Sequence, residues 1–215
     1  VLLRGDIVPS RSATTFGITR GSVNSASVEI ESGELDVQLR PLRTPGRLIA
    51  GQYTARSRPA LTVRNNHASL RMERGQSWWL SMSDWDVGLA TDLPWDLLVS
   101  SYLGDLEVDL RGLTLLRVFA ASGFGHIHMA CPNRAEGPIF ARSLLGDVRI
   151  AVPERCAARV TIKASPLARV RVNLDRFEQI EPGVFVPQNM QIDTDAPEFT
   201  LDVTASTTFG AIHIN

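Results

Sequence analysis

Six stretches of this chain repeat one short pattern at nearly constant spacing. Ser101-Tyr102-Leu103-Gly104-Asp105-Leu106-Glu107-Val108 is followed by Ser122-Gly123-Phe124-Gly125-His126-Ile127-His128-Met129. Ser143-Leu144-Leu145-Gly146-Asp147-Val148-Arg149-Ile150 comes next, so the glycines fall 21 residues apart twice in succession. Ser165-Pro166-Leu167-Ala168-Arg169-Val170-Arg171-Val172 follows 22 residues later, with alanine in place of glycine. Thr207-Thr208-Phe209-Gly210-Ala211-Ile212-His213-Ile214 closes the chain 42 residues after that. The turn skipped between these two is assigned to Pro187-Gln188-Asn189-Met190-Gln191-Ile192. A strand-built unit of about twenty residues cannot bury its apolar face alone, so units must stack on one another. The expected fold is all-β: a β-solenoid, or β-helix, with ~21-residue coils and an N-terminal β-rich cap.

Within each unit, apolar residues fall two, four and six places after the glycine. They read Leu106/Val108/Leu110, Ile127/Met129/Cys131, Val148/Ile150/Val152 and Val170/Val172/Leu174. A period of two is that of a strand with one buried face. Cys131 stands in the Leu110, Val152 and Leu174 column, which makes it a small core residue. The residue before the glycine is also large and apolar: Leu103, Phe124, Leu145, Leu167 and Phe209. The odd step between these two sets requires a bend. Glycine serves there either by a positive φ or by allowing a tight approach, which makes Gly104, Gly125, Gly146, Ala168 and Gly210 structural corners. The serine three places earlier is expected to cap the corner through its hydroxyl. A second strand precedes each corner, as in Leu97-Leu98-Val99, Val118-Phe119-Ala120 and Ile139-Phe140-Ala141. No apolar stripe of helical period lasts two turns.

The first ninety residues are less regular but still β-like. Residues 1–24 are taken as an N-terminal extension, 25–92 as an N-terminal β module or cap, and 93–215 as the regular solenoid continuous with it. Trp78, Trp79, Trp85 and Trp95 cluster before the regular coils and are assigned to packing within the cap. The net charge of −1 offers no basic field for nucleic acid. No apolar run approaches the ~18 residues of a membrane span, and Val1-Leu2-Leu3 is too short for a signal-peptide core. The chain does not start with Met, so removal of an N-terminal piece is expected.

Asp92-Leu93-Pro94-Trp95-Asp96-Leu97-Leu98-Val99 leads directly into Leu103-Gly104-Asp105-Leu106-Glu107-Val108-Asp109-Leu110. Leu113, Leu116, Phe124-Gly125 and Met129-Ala130-Cys131-Pro132 follow. This succession resembles the bacterial toast-rack β-solenoid domains. It is most similar to the C-terminal domain of cell-wall-active antibiotic-response proteins of the LiaF type and their adhesin-like relatives. Gly33-Glu34-Leu35-Asp36-Val37, Leu48-Ile49-Ala50-Gly51-Gln52-Tyr53 and Trp85 resemble the module that accompanies such domains, so the likeness spans residues 25–215. It implies a non-catalytic scaffold or protein-interaction domain with an unidentified protein partner. It also implies a place in the bacterial cell envelope, tethered through a segment outside this chain, with the membrane side open. It carries no site residue and no cofactor.

Stacked coils turn equivalent positions into ladders with a ~4.8 Å rise. Taken in chain order, one outward ladder is Asp105, His126, Asp147, Arg169, Asn189 and Ala211. The next is Glu107, His128, Arg149, Arg171, Gln191 and His213. His126 and His128, flanked by Asp105 and Asp147, have the residue types of a divalent-metal site. The favoured alternative is a solvated ladder of alternating charge that sets register. In chain order His213 lies about four coils from His128, roughly 19 Å away and too far to share an ion. Asp105, Glu107 and Asp109 alternate on one strand, the arrangement a carbohydrate-active β-helix enzyme would use. No nucleophile elbow, phosphate-binding glycine loop or zinc-hydrolase motif accompanies them. Arg149, Arg169 and Arg171, extended by Arg176, form a basic patch suited to an anionic polymer or lipid headgroups. Arg4-Gly5-Asp6 is too short a motif to weigh. Finally, Ile212 and Ile214 are expected on an open strand edge, giving self-association through the C-terminal coil or end-to-end assembly.

Overall fold

The computed structural model describes residues 13–54, 59–73, 84–154, 156–188 and 199–215. The described residues are all-β, with nineteen strands in two sheets and no helix. The strands of the first half are β1 (Ala13–Thr19), β2 (Ser25–Glu31), β3 (Val37–Pro41), β4 (Arg47–Thr54), β5 (Ala60–Arg64), β6 (His67–Glu73) and β7 (Trp85–Leu89). Then come β8 (Pro94–Ser101), β9 (Leu106–Asp109), β10 (Thr114–Ser122), β11 (Ile127–Ala130), β12 (Ile139–Ser143) and β13 (Val148–Ala151). The last are β14 (Ala158–Ala164), β15 (Arg169–Val172), β16 (Phe177–Glu181), β17 (Val184–Pro187), β18 (Leu201–Thr207) and β19 (Ala211–Ile214).

Each regular pass of the chain lays one strand in each sheet, on either side of a corner that is glycine at Gly104, Gly125, Gly146 and Gly210 and alanine at Ala168. One sheet runs β1-β4-β7-β3-β9-β11-β13-β19-β15, the other β16-β17-β14-β18-β12-β10-β8-β2-β6-β5. From β3 to β15, and from β2 to β14, every neighbouring pair is parallel. Register keeps like residues in line: Val37, Leu106, Ile127, Val148, Ile212 and Val170 form one row across the first sheet. That row, except for Val170 at its end, is buried between the sheets. The period-two pattern of the sequence is thus the inner face of a strand. The next residue along each strand points out.

Spatial order departs from chain order at one place. The final pass, β18 and β19, inserts between β12/β13 and β14/β15. Ile212 and Ile214 are fully buried, with strands on both sides of β19. The expected open edge at β19 is therefore corrected: hydrogen bonds to β13 and β15 occupy both edges of β19, which removes the reason given for self-association there. The edge strand at this end of the sheet is β15, where Val170 is 45% and nearby Leu174 64% exposed. Of the expected skipped turn, Pro187 ends β17, which pairs antiparallel with β16 and β14 as a hairpin and not parallel like the regular passes. Asn189, Met190, Gln191 and Ile192 lie outside the described residues.

The N-terminal portion joins the same two sheets. β2 and β3 make a pass in line with the regular ones, and β1, β4 and β7 extend one sheet while β5 and β6 extend the other. Trp85 and Trp95 are buried, and the Trp95 indole N–H donates to the Ala90 carbonyl at 2.7 Å. Trp78, Trp79 and Arg4-Gly5-Asp6 lie outside the described residues.

Candidate functional site

The corners are built from one repeated hydrogen-bond unit. In the passes of Ser101, Ser122 and Ser143, the corner glycine N–H donates to the serine hydroxyl three residues earlier, at 2.7, 2.8 and 2.8 Å. The same hydroxyls donate to the corner of the preceding pass, reaching Gly33, Gly104 and Gly125 carbonyls at 3.0, 3.3 and 3.0 Å. Thr207 repeats the second bond to Gly146 at 3.0 Å. Buried hydroxyls that both give and accept leave no polar group unpaired at the turn. Glycine is required there for space. A Cβ on Gly104, Gly125 or Gly146 would fall within 2.6 Å of the carbonyl carbon of the preceding corner. A positive φ is present only at Gly210 among the four glycine corners. Ala168 has a different turn, its N–H bonding the Ser165 carbonyl at 3.0 Å, and Leu35 likewise bonds Ser32 at 3.2 Å.

The outward ladder beside the corners is a chain of side-chain to backbone bonds. The Asp105 N–H donates to Asp36 Oδ1 at 2.7 Å, and the His126 N–H donates to Asp105 Oδ1 at 2.7 Å. The Asp147 N–H donates to His126 Nδ1 at 2.9 Å, and the Ala211 N–H donates to Asp147 Oδ1 at 2.9 Å. An imidazole that accepts at Nδ1 carries its proton on Nε2. The nitrogen of His126 nearest its flanking residues is therefore already occupied by backbone. Among the described residues no group of three or more His, Cys, Asp or Glu side chains is placed to hold a metal ion. His128 lies in line with Glu107 and Arg149, as the repeat implies.

Two of the three carboxylates of the acidic strand are engaged, Asp105 by the His126 N–H and Asp109 by Arg111. Asp109 accepts two bonds from the Arg111 guanidinium, at 2.8 and 2.7 Å, and one from the Arg111 N–H at 3.1 Å. The guanidinium bonds hold its carboxyl below the usual range. A glycosidase acid needs the opposite, a carboxyl raised so that it keeps its proton. Arg176 does not extend the basic patch: it donates to the Val152 carbonyl at 3.0 Å and lies over the Phe177 ring.

The insertion of β19 rebuilds that patch. In space the second ladder runs Glu107, His128, Arg149, His213, Arg171. His213 is therefore two strands from His128, not four coils, and sits between two arginines. Arg149, Arg169, Arg171 and His213, with Ala211 between them, line an open groove of about 440 Å³.

A second surface follows from the residues that precede the corners. Leu103, Phe124, Leu145, Phe209 and Leu167 are 41, 43, 41, 43 and 69% exposed. In spatial order they form an apolar ridge along one edge of the stack, five passes long. Tyr102, 63% exposed, meets Phe124 edge-to-face at 5.4 Å between ring centroids. The sequence showed these residues as apolar. That they face solvent follows from the odd step in the repeat, which turns them away from the core.

No protein-family model matches the chain, and no curated protein matches it in sequence. Its fold is similar to that of a putative cell adhesion protein from Clostridium sporogenes, with a TM-score of 0.79. The alignment covers 94% of this chain and 97% of that one, at 12% identity. A putative adhesin from Bacteroides fragilis aligns over 96% of this chain and 99% of its own, at 13% identity and a TM-score of 0.34. At such identity the likeness to the Clostridium structure is one of fold.

Proposed function

We propose that this chain is a non-catalytic β-solenoid of the toast-rack kind, related to the LiaF-like and adhesin-like domains. On this reading it serves as an interaction module of a bacterial envelope-associated protein and docks a protein partner along its apolar ridge. The ridge is the observation that carries the reading. The core is already complete without Leu103, Phe124, Leu145, Phe209 and Leu167, since the inner rows fill it. Large apolar side chains kept in water at five successive corners are costly unless something covers them, and contiguous apolar surface of this kind marks interaction sites. The shared fold with a protein named for cell adhesion supports the same reading. So does the engagement of Asp105 and Asp109 with backbone and guanidinium, which suits structure better than acid–base chemistry.

The test is binding of the full chain to a bacterial envelope fraction. Wild type should bind, and protease treatment of the fraction should abolish it. A Leu103→Ser, Phe124→Ser, Leu145→Ser variant should bind at least ~10-fold more weakly while keeping its β circular dichroism. Equal binding by the folded triple variant would refute the ridge as the docking surface.

A further inference from the structure

We propose that the groove formed by β13, β19 and β15 binds an acidic polysaccharide through Arg149, His213, Arg171 and Arg169. The groove meets the end of the ridge at Leu167, which lines both, but none of the residues varied below belongs to the ridge, so they test the groove independently.

The site exists only because the last pass is inserted. In chain order Arg149 and Arg171 would be adjacent and His213 would stand beyond them. In space His213 lies between, so three cationic or cationisable side chains stand on successive parallel strands, in register. At a strand spacing of ~4.8 Å, Arg149 and Arg171 attach about 10 Å apart. Arg169 extends the set along β15, two residues from Arg171. Ala211 leaves the centre of the row in front of Arg169 without a long side chain, and that gap is the floor of the groove.

Elsewhere on the protein Arg40, Arg71, Arg111, Arg117 and Arg159 each face a carboxylate within ion-pair distance. Among the described residues Arg169 and Arg171 have no ion pair and no side-chain hydrogen bond. Arg149 reaches Asp147 only at 3.7 Å, and Asp147 Oδ1 also accepts from the Ala211 N–H. Three guanidinium groups against one carboxylate leave an open groove with a net positive charge, before any contribution from His213. Guanidinium groups that lack an internal acid are free to take carboxylates or sulfates from a ligand, bidentately where geometry allows.

The shape selects a thin polymer. A planar anionic membrane laid on this face would also meet Glu107 and Asp105, a few strands away, and be repelled by them. A polysaccharide crossing β13, β19 and β15 meets three guanidinium groups against the one carboxylate of Asp147, and avoids Glu107 and Asp105. Single-stranded nucleic acid would want rings on which to stack its bases, and no Trp, Tyr or Phe lines the groove.

The probe is polygalacturonate immobilised on a biosensor, with the full chain as analyte and neutral dextran as the blank. Binding is expected to polygalacturonate, not to dextran, and to weaken as salt rises. Arg169→Gln with Arg171→Gln should reduce affinity at least tenfold, and His213→Ala should reduce it severalfold. Arg117→Gln, a paired arginine on the other sheet, should change it less than twofold. All four positions are surface residues, and a thermal melt checks that each variant is folded. The proposal is overturned if wild type fails to bind polygalacturonate or if Arg117→Gln loses as much as the double variant. Equal or tighter binding to anionic phospholipid vesicles or a single-stranded oligonucleotide, lost in the same double variant, would also overturn it.

Discussion

Placing a methyl group on Gly125 tests how the passes are stacked. Gly125 does not have a positive φ, so alanine would not strain its own backbone. What it lacks is room. The new Cβ would stand 2.6 Å from the Gly104 carbonyl carbon, closer still to its oxygen, and 2.9 Å from Ser122 Oγ. Ordinary contact begins near 3.4 Å, so the neighbouring corner must retreat by about an ångström. Retreat opens the bonds that cross there. Ser122 Oγ–H to the Gly104 carbonyl spans 3.3 Å, and Gly125 N–H to Ser122 Oγ spans 2.8 Å. Overpacking costs ~1–3 kcal/mol, and two weakened hydrogen bonds add ~1 kcal/mol each. The sum, about 3–5 kcal/mol, corresponds to a fall in Tm of roughly 10 °C in a domain this size. Scanning calorimetry of Gly125→Ala reads it directly. Ala168→Gly is the matched control, because its corner uses a backbone turn; it should cost no more than ~1 kcal/mol in chain entropy. A drop of less than ~2 °C for Gly125→Ala would refute the close-stacking explanation of the corner glycines.

Two further outcomes follow from burial. Ile212→Lys puts an ammonium at a fully buried position between Val148 and Val170, at a cost of several kcal/mol; it should abolish cooperative unfolding, and a wild-type Tm would show that β19 is not internal. Cys131 and Cys156 should resist a thiol reagent at pH 8 until denaturant is added, because burial pushes the Cys131 thiol up to about 12 and raises that of Cys156, and only the thiolate attacks; stoichiometric labelling of Cys131 in the folded protein would contradict this.

The sequence was most legible where physics repeats. A two-residue alternation locked to a 21-residue period predicts strands, inner rows and corner positions, because each pass solves the same packing problem. The serine-to-glycine cap was visible for the same reason. What resisted was order. Ser165-Pro166-Leu167-Ala168 and Thr207-Thr208-Phe209-Gly210 carry the same pattern, and nothing in a pattern says which copy docks first. The β16–β17 hairpin, closing at Gly183 with a φ of 78°, has no counterpart in the repeat. Only Pro182-Gly183 signalled it, a turn pair the repeat reading did not use. The basic groove was half seen: Arg149, Arg169 and Arg171 stood out by type, but His213 joins them only once β19 is placed. The ridge was hidden because apolar character alone does not tell inside from outside.

That displaced order bears on how the chain assembles as it is made. β8 to β13 can be laid down in the sequence in which they are synthesised. The stretch from β14 to β15 cannot, because its true neighbour arrives some forty residues later. A premature β14–β15 would find the edge of β12–β13 open and parallel, and taking it would shut out the final pass. Ala168 discourages that error. The place beside Gly146 is so tight that a Cβ on Gly210, its proper occupant, would fall 2.8 Å from the Gly146 carbonyl carbon. An alanine put in that place meets the same obstruction, while glycine fits. One methyl group thus helps hold the slot vacant until β18 and β19 arrive, guarding against the kinetic traps to which long-range parallel sheets are prone.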